Sequence, residues 1–265
     1  MMIKNLSSNI YEADFACNDH YTKQVIYFLV DGSSALLIDT GYERESEQLN
    51  TYLERKGIRI EKVIISHYHD DHFAGLKALK RLNNAIEVYG SSKYRQTLEK
   101  EYQEDFLHDP DIVPTIYCEH NQFIFGGHQL RFEEASGHSA CSLHTIIDEK
   151  YIHVADNIMF DTKDTALLPL PYGNIQEHIT TLKRLKEKSG LIFLGSHFSS
   201  AINTLKDMHL EMDARITYMQ KVLEYQGKLD YDKMTEMLPI EFNPRWHDLM
   251  LRFYQEQLGG CYAAD

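Results

Sequence analysis

The chain has 265 residues, 43% of them apolar, and a formal net charge of −13. The length and apolar content fit one sizeable domain with an appendage, and the negative charge disfavours binding to nucleic acid. No stretch approaches the ~20 apolar residues that span a bilayer, so we expect no membrane contact. The four cysteines are scattered, which predicts a cytoplasmic location without a disulfide framework. They are Cys17, Cys118, Cys141 and Cys261.

The first half of the chain predicts strands that alternate with helices. Residues 25–30 and 35–38 are apolar runs on either side of turn residues, and they predict a hairpin of buried strands. Apolar spacing predicts three helices and two more strands. The helices are expected at residues 44–56, 73–82 and 92–103, and the strands at residues 63–65 and 86–89.

The second half of the chain begins with strands and ends with helices. An amphipathic helix is predicted at residues 175–188, among strands at residues 122–125, 129–132, 143–147, 151–155 and 191–194. After about residue 205 the pattern becomes helical, at residues 206–227 and 245–258. We therefore predict a mixed α/β body over residues 1–204 and a C-terminal helical extension over residues 205–265.

The most informative segment is His67-Tyr68-His69-Asp70-Asp71-His72, directly after the apolar run 63–65. Imidazole nitrogens and carboxylate oxygens are the ligands that hold Zn²⁺ or a similar divalent ion. Such a density of these groups at the end of a strand predicts a metal site.

Three further candidate ligands also follow short apolar runs. His138 comes just after residues 130–135, Asp156 directly after residues 151–155, and His197 after residues 191–194. Loops at strand ends can gather side chains from distant parts of a sequence. A lone strand-end histidine is more often structural, but the ordered set indicates a single site.

These blocks, together with Asp39-Thr40-Gly41, resemble the metallo-β-lactamase superfamily of hydrolases over roughly residues 25–200. The His-x-His-x-Asp-His block is the most specific part of the resemblance. It implies an α/β (α+β) protein built as a four-layer αββα sandwich, with the metals at one edge of the two sheets and the C-terminal helical extension packed on it.

The resemblance also implies roles for individual residues. His67, His69 and His138 would bind one metal, and a second would be bound by Asp71, His72 and His197. Asp156 would bridge both metals, and Asp39 would orient ligands through hydrogen bonds. Asp70 occupies a variable position and is expected to face solvent or to cap a helix.

This ligand set implies a dinuclear hydrolase with two divalent ions, of which zinc is favoured and manganese or iron remain alternatives. A metal-bridging hydroxide would attack a small ester, thioester, lactone or phosphodiester. Asp71 would also orient the hydroxide. The apolar segment 167–173 is expected to form a wall of the substrate pocket, with Tyr172 donating a hydrogen bond to the substrate.

The choice of branch within the superfamily stays open. An aspartate at position 156 is more similar to the glyoxalase II, lactonase and phosphodiesterase branches than to antibiotic-hydrolysing lactamases. The block Gly137-His138-Ser139-Ala140-Cys141-Ser142 lacks the second histidine of the glyoxalase II and lactonase form. Cys141 in this block is expected to be a buried filler rather than an active-site thiol.

Two other functions compete with the hydrolase. A persulfide dioxygenase branch uses one iron and would need fewer ligands, so His72 and His197 argue against it. A non-catalytic metal-binding protein is a third alternative, which the intact ligand set disfavours. The expected partner is a small-molecule substrate, for a monomer or a homodimer. Seven other histidines have no ligand-like context and are expected to be structural or on the surface: His108, His120, His144, His153, His178, His209 and His247.

Overall fold

The larger of two main sheets has seven strands that follow one another in chain order. The computed structural model describes residues 1–15, 21–102, 106, 109–119, 121–228 and 230–257. Neighbours are antiparallel from β1 to β4 and parallel from β4 to β7. The strands are β1 (Met2–Ser7), β2 (Ile10–Phe15), β3 (Gln24–Asp31), β4 (Ser34–Ile38), β5 (Arg59–Ile64), β6 (Glu87–Gly90) and β7 (Ile116–Tyr117).

The second sheet has five strands in the order β13-β11-β10-β9-β8, and its β11–β13 pair is parallel. Its strands are β8 (Gln122–Phe125), β9 (His128–Glu134), β10 (Leu143–Ile147), β11 (Tyr151–His153) and β13 (Ile192–Leu194). A small parallel pair joins β12 (Ala166–Leu167) to β14 (Phe242–Asn243).

The helices fall into two sets along the chain, one before β8 and one after β12. The first set is α1 (Glu43–Glu54), α2 (Asp70–Phe73), α3 (Gly75–Leu82) and α4 (Tyr94–Tyr102). The second set is α5 (Ile175–Lys186), α6 (Ile202–Leu205), α7 (Met208–Glu224), α8 (Tyr231–Thr235) and α9 (His247–Gln257). A 3₁₀ turn, Pro244–Trp246, precedes α9.

Three apolar cores separate four layers, which confirms the predicted αββα sandwich. Successive side chains of a strand point to opposite faces. In β3, Ile26 and Phe28 therefore pack with the first helices, whereas Tyr27 and Leu29 pack between the sheets. The third core lies between the second sheet and the second set of helices. Because β3 is buried on both faces, it reads in the sequence as a continuous apolar run.

The structure differs from the sequence prediction at several element boundaries. The sequence pattern predicts neither β1 nor β2; β1 is largely exposed and has no clear apolar alternation. The helix predicted at 73–82 begins instead at Asp70 and divides at Ala74. The strand predicted at 151–155 ends at His153, since Ala155 adopts a left-handed conformation with φ 49°.

The predicted C-terminal extension shares its core with the rest of the chain. Met219 of α7 and Tyr254 of α9 pack in one cluster with Leu182 of α5. The division at residues 204 and 205 stays a prediction. Among the described residues, no helix combines the length and apolarity needed to cross a membrane.

Candidate metal centre

The seven predicted donors all follow strands, and the fold brings them together in two groups. The loop after β5 carries His67 and His69 and leads into α2, which carries Asp71 and His72. His138 follows β9, Asp156 follows β11, and His197 follows β13. The two groups are His67, His69 and His138, and Asp71, His72, Asp156 and His197.

Backbone hydrogen bonds fix these strand ends relative to one another. The Asp39 N–H donates to the carbonyl of Ile64 (2.8 Å), and the Thr40 N–H donates to the carbonyl of His72 (2.8 Å). On the second sheet, the Val154 N–H donates to the carbonyl of Leu194 (2.9 Å). The loops that carry the donors therefore leave the sheets at fixed positions.

The first group consists of three imidazoles whose nitrogens converge. His69 Nδ1 lies 3.1 Å from His67 Nε2 and 3.1 Å from His138 Nε2. His67 and His138 are buried, and His69 is half-buried. Three nitrogen donors at this spacing can face one cation.

The carboxylate of Asp156 connects the two groups. Its Oδ2 lies 3.1 Å from His197 Nε2 and 3.4 Å from His72 Nε2 in the second group. The same oxygen lies 3.7 Å from His138 Nε2 and 3.9 Å from His67 Nε2 in the first. Asp71 completes the second group, with its Oδ2 3.1 Å from His197 Nε2. The Asp156 carboxylate thus lies between the two groups, and its role as a bridge stays a prediction.

Hydrogen bonds on the outer side of the rings set the tautomers. His138 Nδ1 faces the carbonyl of Leu170 (2.9 Å), and His197 Nδ1 faces the carbonyl of Lys23 (3.0 Å). A carbonyl only accepts, so each Nδ1 carries the hydrogen and donates it. The Nε2 atoms of His138 and His197 are therefore the ones directed into the site, as in a metal-ligating histidine.

Asp39 performs the same function for His72. Its Oδ2 accepts hydrogen bonds from His72 Nδ1 (2.8 Å) and from the hydroxyls of Ser66 and Ser196 (2.8 Å each). Its Oδ1 accepts from the Ser66 N–H (2.7 Å). The predicted hydrogen bond between Asp39 and a candidate ligand is present, and Asp39 also joins the loops after β5 and β13 through Ser66 and Ser196.

The donor set fits a divalent cation. His72 Nε2 and Asp156 Oδ1 are buried, and neither makes a hydrogen bond within the described part of the chain. Unpaired buried polar atoms are costly, so a native structure normally provides a partner for them. A cation would provide that partner here, and a mixed nitrogen and oxygen set suits zinc, manganese or iron.

The electrostatic environment differs between the two groups. Burial lowers the pKa of His69 to about 4, and burial with neighbouring imidazoles holds the pKa values of His67 and His138 well below their usual range. For His197 burial also lowers the pKa, but the carboxylates of Asp156 and Asp71 outweigh it and raise it to about 10. The first group is therefore neutral, whereas in the second group the carboxylates of Asp71 and Asp156 face imidazoles whose pKa values they raise.

Sequence reasoning missed the serines and one histidine that support the site. Ser66 and Ser196 each stand directly before a donor histidine, a pattern that would have drawn attention to them. His153, expected to be structural, is buried with its Nε2 3.2 Å from Ser196 Oγ. It therefore supports the network around Asp39 and belongs to neither donor group.

The other histidines of the prediction lie outside the two groups or outside the described residues. His144 and His178 are buried and both contact Asn157, through its side-chain amide and its carbonyl respectively. His209 and His247 belong to the C-terminal helices. His108 and His120, like Cys17 and Cys261, fall outside the described residues.

Three further predicted residues surround the site. Asp70 is exposed at the start of α2, as expected. Cys141 is buried in the core between the first sheet and its helices. It accepts a hydrogen bond from the Thr97 hydroxyl (3.0 Å), and burial raises its pKa, which fits the packing role. The ring of Tyr172 lies edge-on to His69 and His138, with 5.3 Å between centroids in each pair.

Comparison with known proteins agrees with this geometry. Residues 22–197 match the Metallo-beta-lactamase superfamily. A hydroxyacylglutathione hydrolase from Tolumonas auensis is 24% identical over 190 residues, which cover 63% of this chain and 72% of that protein. An atrochrysone carboxyl ACP thioesterase from Paecilomyces divaricatus is 26% identical over 185 residues, covering 64% of this chain and 49% of the relative.

Solved structures share the fold at low sequence identity. A metallo-beta-lactamase from Pontibacter korlensis superposes with a TM-score of 0.60 at 16% identity, covering 80% of this chain and 98% of that one. A HARLDQ motif mutant of a metallo-beta-lactamase from Cronobacter sakazakii gives a TM-score of 0.60 at 19% identity, covering 85% and 96%. The chain belongs to the metallo-beta-lactamase superfamily.

Proposed function

We propose that this protein is a dinuclear metal-dependent hydrolase of small esters, thioesters or lactones. The observation that carries the proposal is the position of Asp156, whose Oδ2 lies within 3.9 Å of imidazole nitrogens from both donor groups. Residues 1–204 contain all seven donors, so we assign the catalytic domain to them. We regard residues 205–265 as the helical extension.

Different residues of the chain have different roles in the proposed hydrolysis. When bound at such a site, a pair of divalent cations supplies an acidified water and polarises the electrophilic oxygen. Asp71 is the more exposed carboxylate, with 22% of its side chain accessible against 4% for Asp156. Asp71 can therefore accept a hydrogen bond from the attacking water and orient it. Tyr172, half-buried beside His69, would donate to the substrate oxygen.

The curated relatives favour a carbonyl centre over a phosphoryl centre. Their printed names include a hydroxyacylglutathione hydrolase and a carboxyl ACP thioesterase, and both names denote the release of an acyl group. A panel of matched thioesters, lactones and phosphodiesters tests this choice. We expect turnover of the acyl substrates, and turnover confined to phosphodiesters would contradict the assignment.

Metal content tests the dinuclear proposal against its alternatives. We expect about two divalent ions per chain, zinc being favoured, and His138→Ala and His197→Ala should each reduce the content by about one. His209→Ala is the matched control, because His209 is half exposed on α7 and belongs to neither donor group. One iron per chain would support the mononuclear oxygenase. A metal-loaded protein inactive on the whole substrate panel would support a non-catalytic role.

We also propose a location, a class of partner and an oligomeric state for the protein. We propose a cytoplasmic location, supported by the scattered cysteines, of which Cys118 and Cys141 form no disulfide within the described part of the chain. We propose a small-molecule substrate and a monomer or homodimer, with neither nucleic acid nor membrane as a partner. Size-exclusion chromatography with light scattering distinguishes the two oligomeric states.

A further inference from the structure

Residues 169–175 form a segment, here called the proline loop, between the first donor group and the C-terminal helix α9. Pro169 and Pro171 have no backbone N–H to donate, and within the loop the Tyr172 N–H donates to the carbonyl of Leu170 (3.0 Å). The carbonyl of the intervening Leu170 accepts the hydrogen bond from His138 Nδ1. The conformation of this loop therefore bears on the tautomer of a metal-ligand candidate.

On its inner side the proline loop is attached to the segment that carries His138. The Gly173 N–H donates to the carbonyl of His138 (2.9 Å), and the Asn174 N–H donates to the carbonyl of Gly137 (3.1 Å). The ring of Tyr172 contacts the rings of His69 and His138. A displacement of the loop would thus move the backbone and the ring of a donor histidine together.

On its outer side the loop is held by polar side chains of α9. The buried Tyr254 hydroxyl donates to the carbonyl of Pro169 (2.9 Å). Gln257 accepts from the Ile175 N–H through its Oε1 (2.8 Å) and donates to the carbonyl of Pro171 through its Nε2. These contacts pair the carbonyls on both sides of Leu170.

An aromatic contact completes the attachment. The ring of Phe253 lies 4.6 Å from that of Tyr172, centroid to centroid, at an interplanar angle of 59°. Each ring of this pair is half-buried. Helix α9 therefore contacts the proline loop, and the proline loop in turn contacts the first donor group.

We propose that α9 is a positioning element of the metal centre, with Tyr254 and Gln257 as positioning residues that hold the Leu170 carbonyl against His138. The inference rests on the proposed function for its consequence in catalysis. Neither residue touches the donors, so their effect passes through the loop. If α9 only packed against the loop, it would not need to direct polar side chains at the carbonyls of Pro169 and Pro171.

Two variants test the proposal. Gln257→Leu removes both hydrogen bonds of the side chain, and Tyr254→Phe removes only the hydroxyl from a buried ring. Gln255→Leu on the same helix is the matched control, because the Gln255 side chain lies beside Gly227 and away from the loop. The zinc dissociation constant is measured by competition with a chromophoric chelator. Nitrogen NMR of the metal-free protein reports the tautomer of His138, whose signal is assigned by its loss in His138→Ala.

We expect Tyr254→Phe to weaken zinc binding about fivefold, the effect of one lost hydrogen bond transmitted to the site, and Gln257→Leu, which loses two, to weaken it at least as much. The fraction of His138 protonated at Nδ1 should fall in both, with Gln255→Leu unchanged. If Gln257→Leu fails to fold, Tyr254→Phe decides. Zinc affinities within twofold of the wild type together with an unaltered His138 tautomer would overturn the positioning role. Absence of zinc binding by the wild type would overturn the proposed function, and the tautomer measurement would then decide the positioning role alone.

Discussion

Replacing Asp39 by asparagine tests whether the support network controls metal binding. Asparagine has the shape of aspartate but offers one acceptor oxygen and one donor amide. The two oxygens of Asp39 face separate N–H groups, that of Ser66 at Oδ1 and that of His72 at Oδ2. In either orientation of the new amide, one of these N–H groups therefore faces another donor.

The size of the effect follows from the contact that is lost. A hydrogen bond to a charged group contributes about 1.5–3 kcal/mol, and 1.36 kcal/mol corresponds to a tenfold change in an equilibrium constant. The expected loss of metal affinity is therefore about 10- to 100-fold, the range typical of groups that support metal ligands. The second donor group, which contains His72, should lose its metal first.

The assay is a chelator competition together with metal content after dialysis. Asp161→Asn is the matched control, because Asp161, like Asp39, accepts both backbone and side-chain hydrogen bonds, here from Lys163, Thr165 and Asn243. That change should lower the free energy of unfolding without weakening metal binding. An Asp39→Asn variant that binds both metals with the affinity of the wild type would refute the reasoning.

Three further changes test other parts of the site. Asp156→Ala should abolish turnover and reduce metal content, because it removes the oxygen that faces four imidazoles; full activity would show that Asp156 is not the bridge. Tyr172→Phe should lower kcat about tenfold with metal content unchanged, and an unaltered rate would remove the hydroxyl from catalysis. Gly137→Ala should lower the free energy of unfolding by more than about 2 kcal/mol, measured by denaturant titration, because an added Cβ would lie 2.3 Å from the Cα of His178. Gly190→Ala, where an added Cβ meets no atom within 4 Å, is its control.

The convergence of the donors could be predicted because it depends on strands. An apolar run that ends in a ligand-type residue identifies both the strand and the loop after it. His138, Asp156 and His197 all meet this description, and strand ends of a layered fold bring distant segments together. The assignment of donors to two groups came from the family resemblance, and the geometry agrees with it.

The outer hydrogen bonds of the ligand candidates could not be predicted in the same way. His138 and His197 donate to the carbonyls of Leu170 and Lys23, and a backbone carbonyl is present at every residue. The sequence therefore contains no signal that selects these two. Likewise, β12 pairs with β14 across more than seventy residues of chain, and two-residue strands are too short to show a period.

The end of β11 shows how tertiary contacts override a local pattern at the centre of the site. Residues 151–155 form an apolar run that predicts a strand, but Ala155 has φ 49°, a left-handed conformation that costs a non-glycine residue about 1–2 kcal/mol. Backbone bonds hold the turn in place, from the Val154 N–H to the Leu194 carbonyl (2.9 Å) and from the Asn157 N–H to the Val154 carbonyl (3.2 Å). Side chains of a strand alternate between the two faces of the sheet. If Ala155 were extended, Asp156 would continue this alternation, whereas the turn places the Asp156 carboxylate among the histidines. Strain of this kind is typical of functional sites, and only the assembled fold can show which residue bears it.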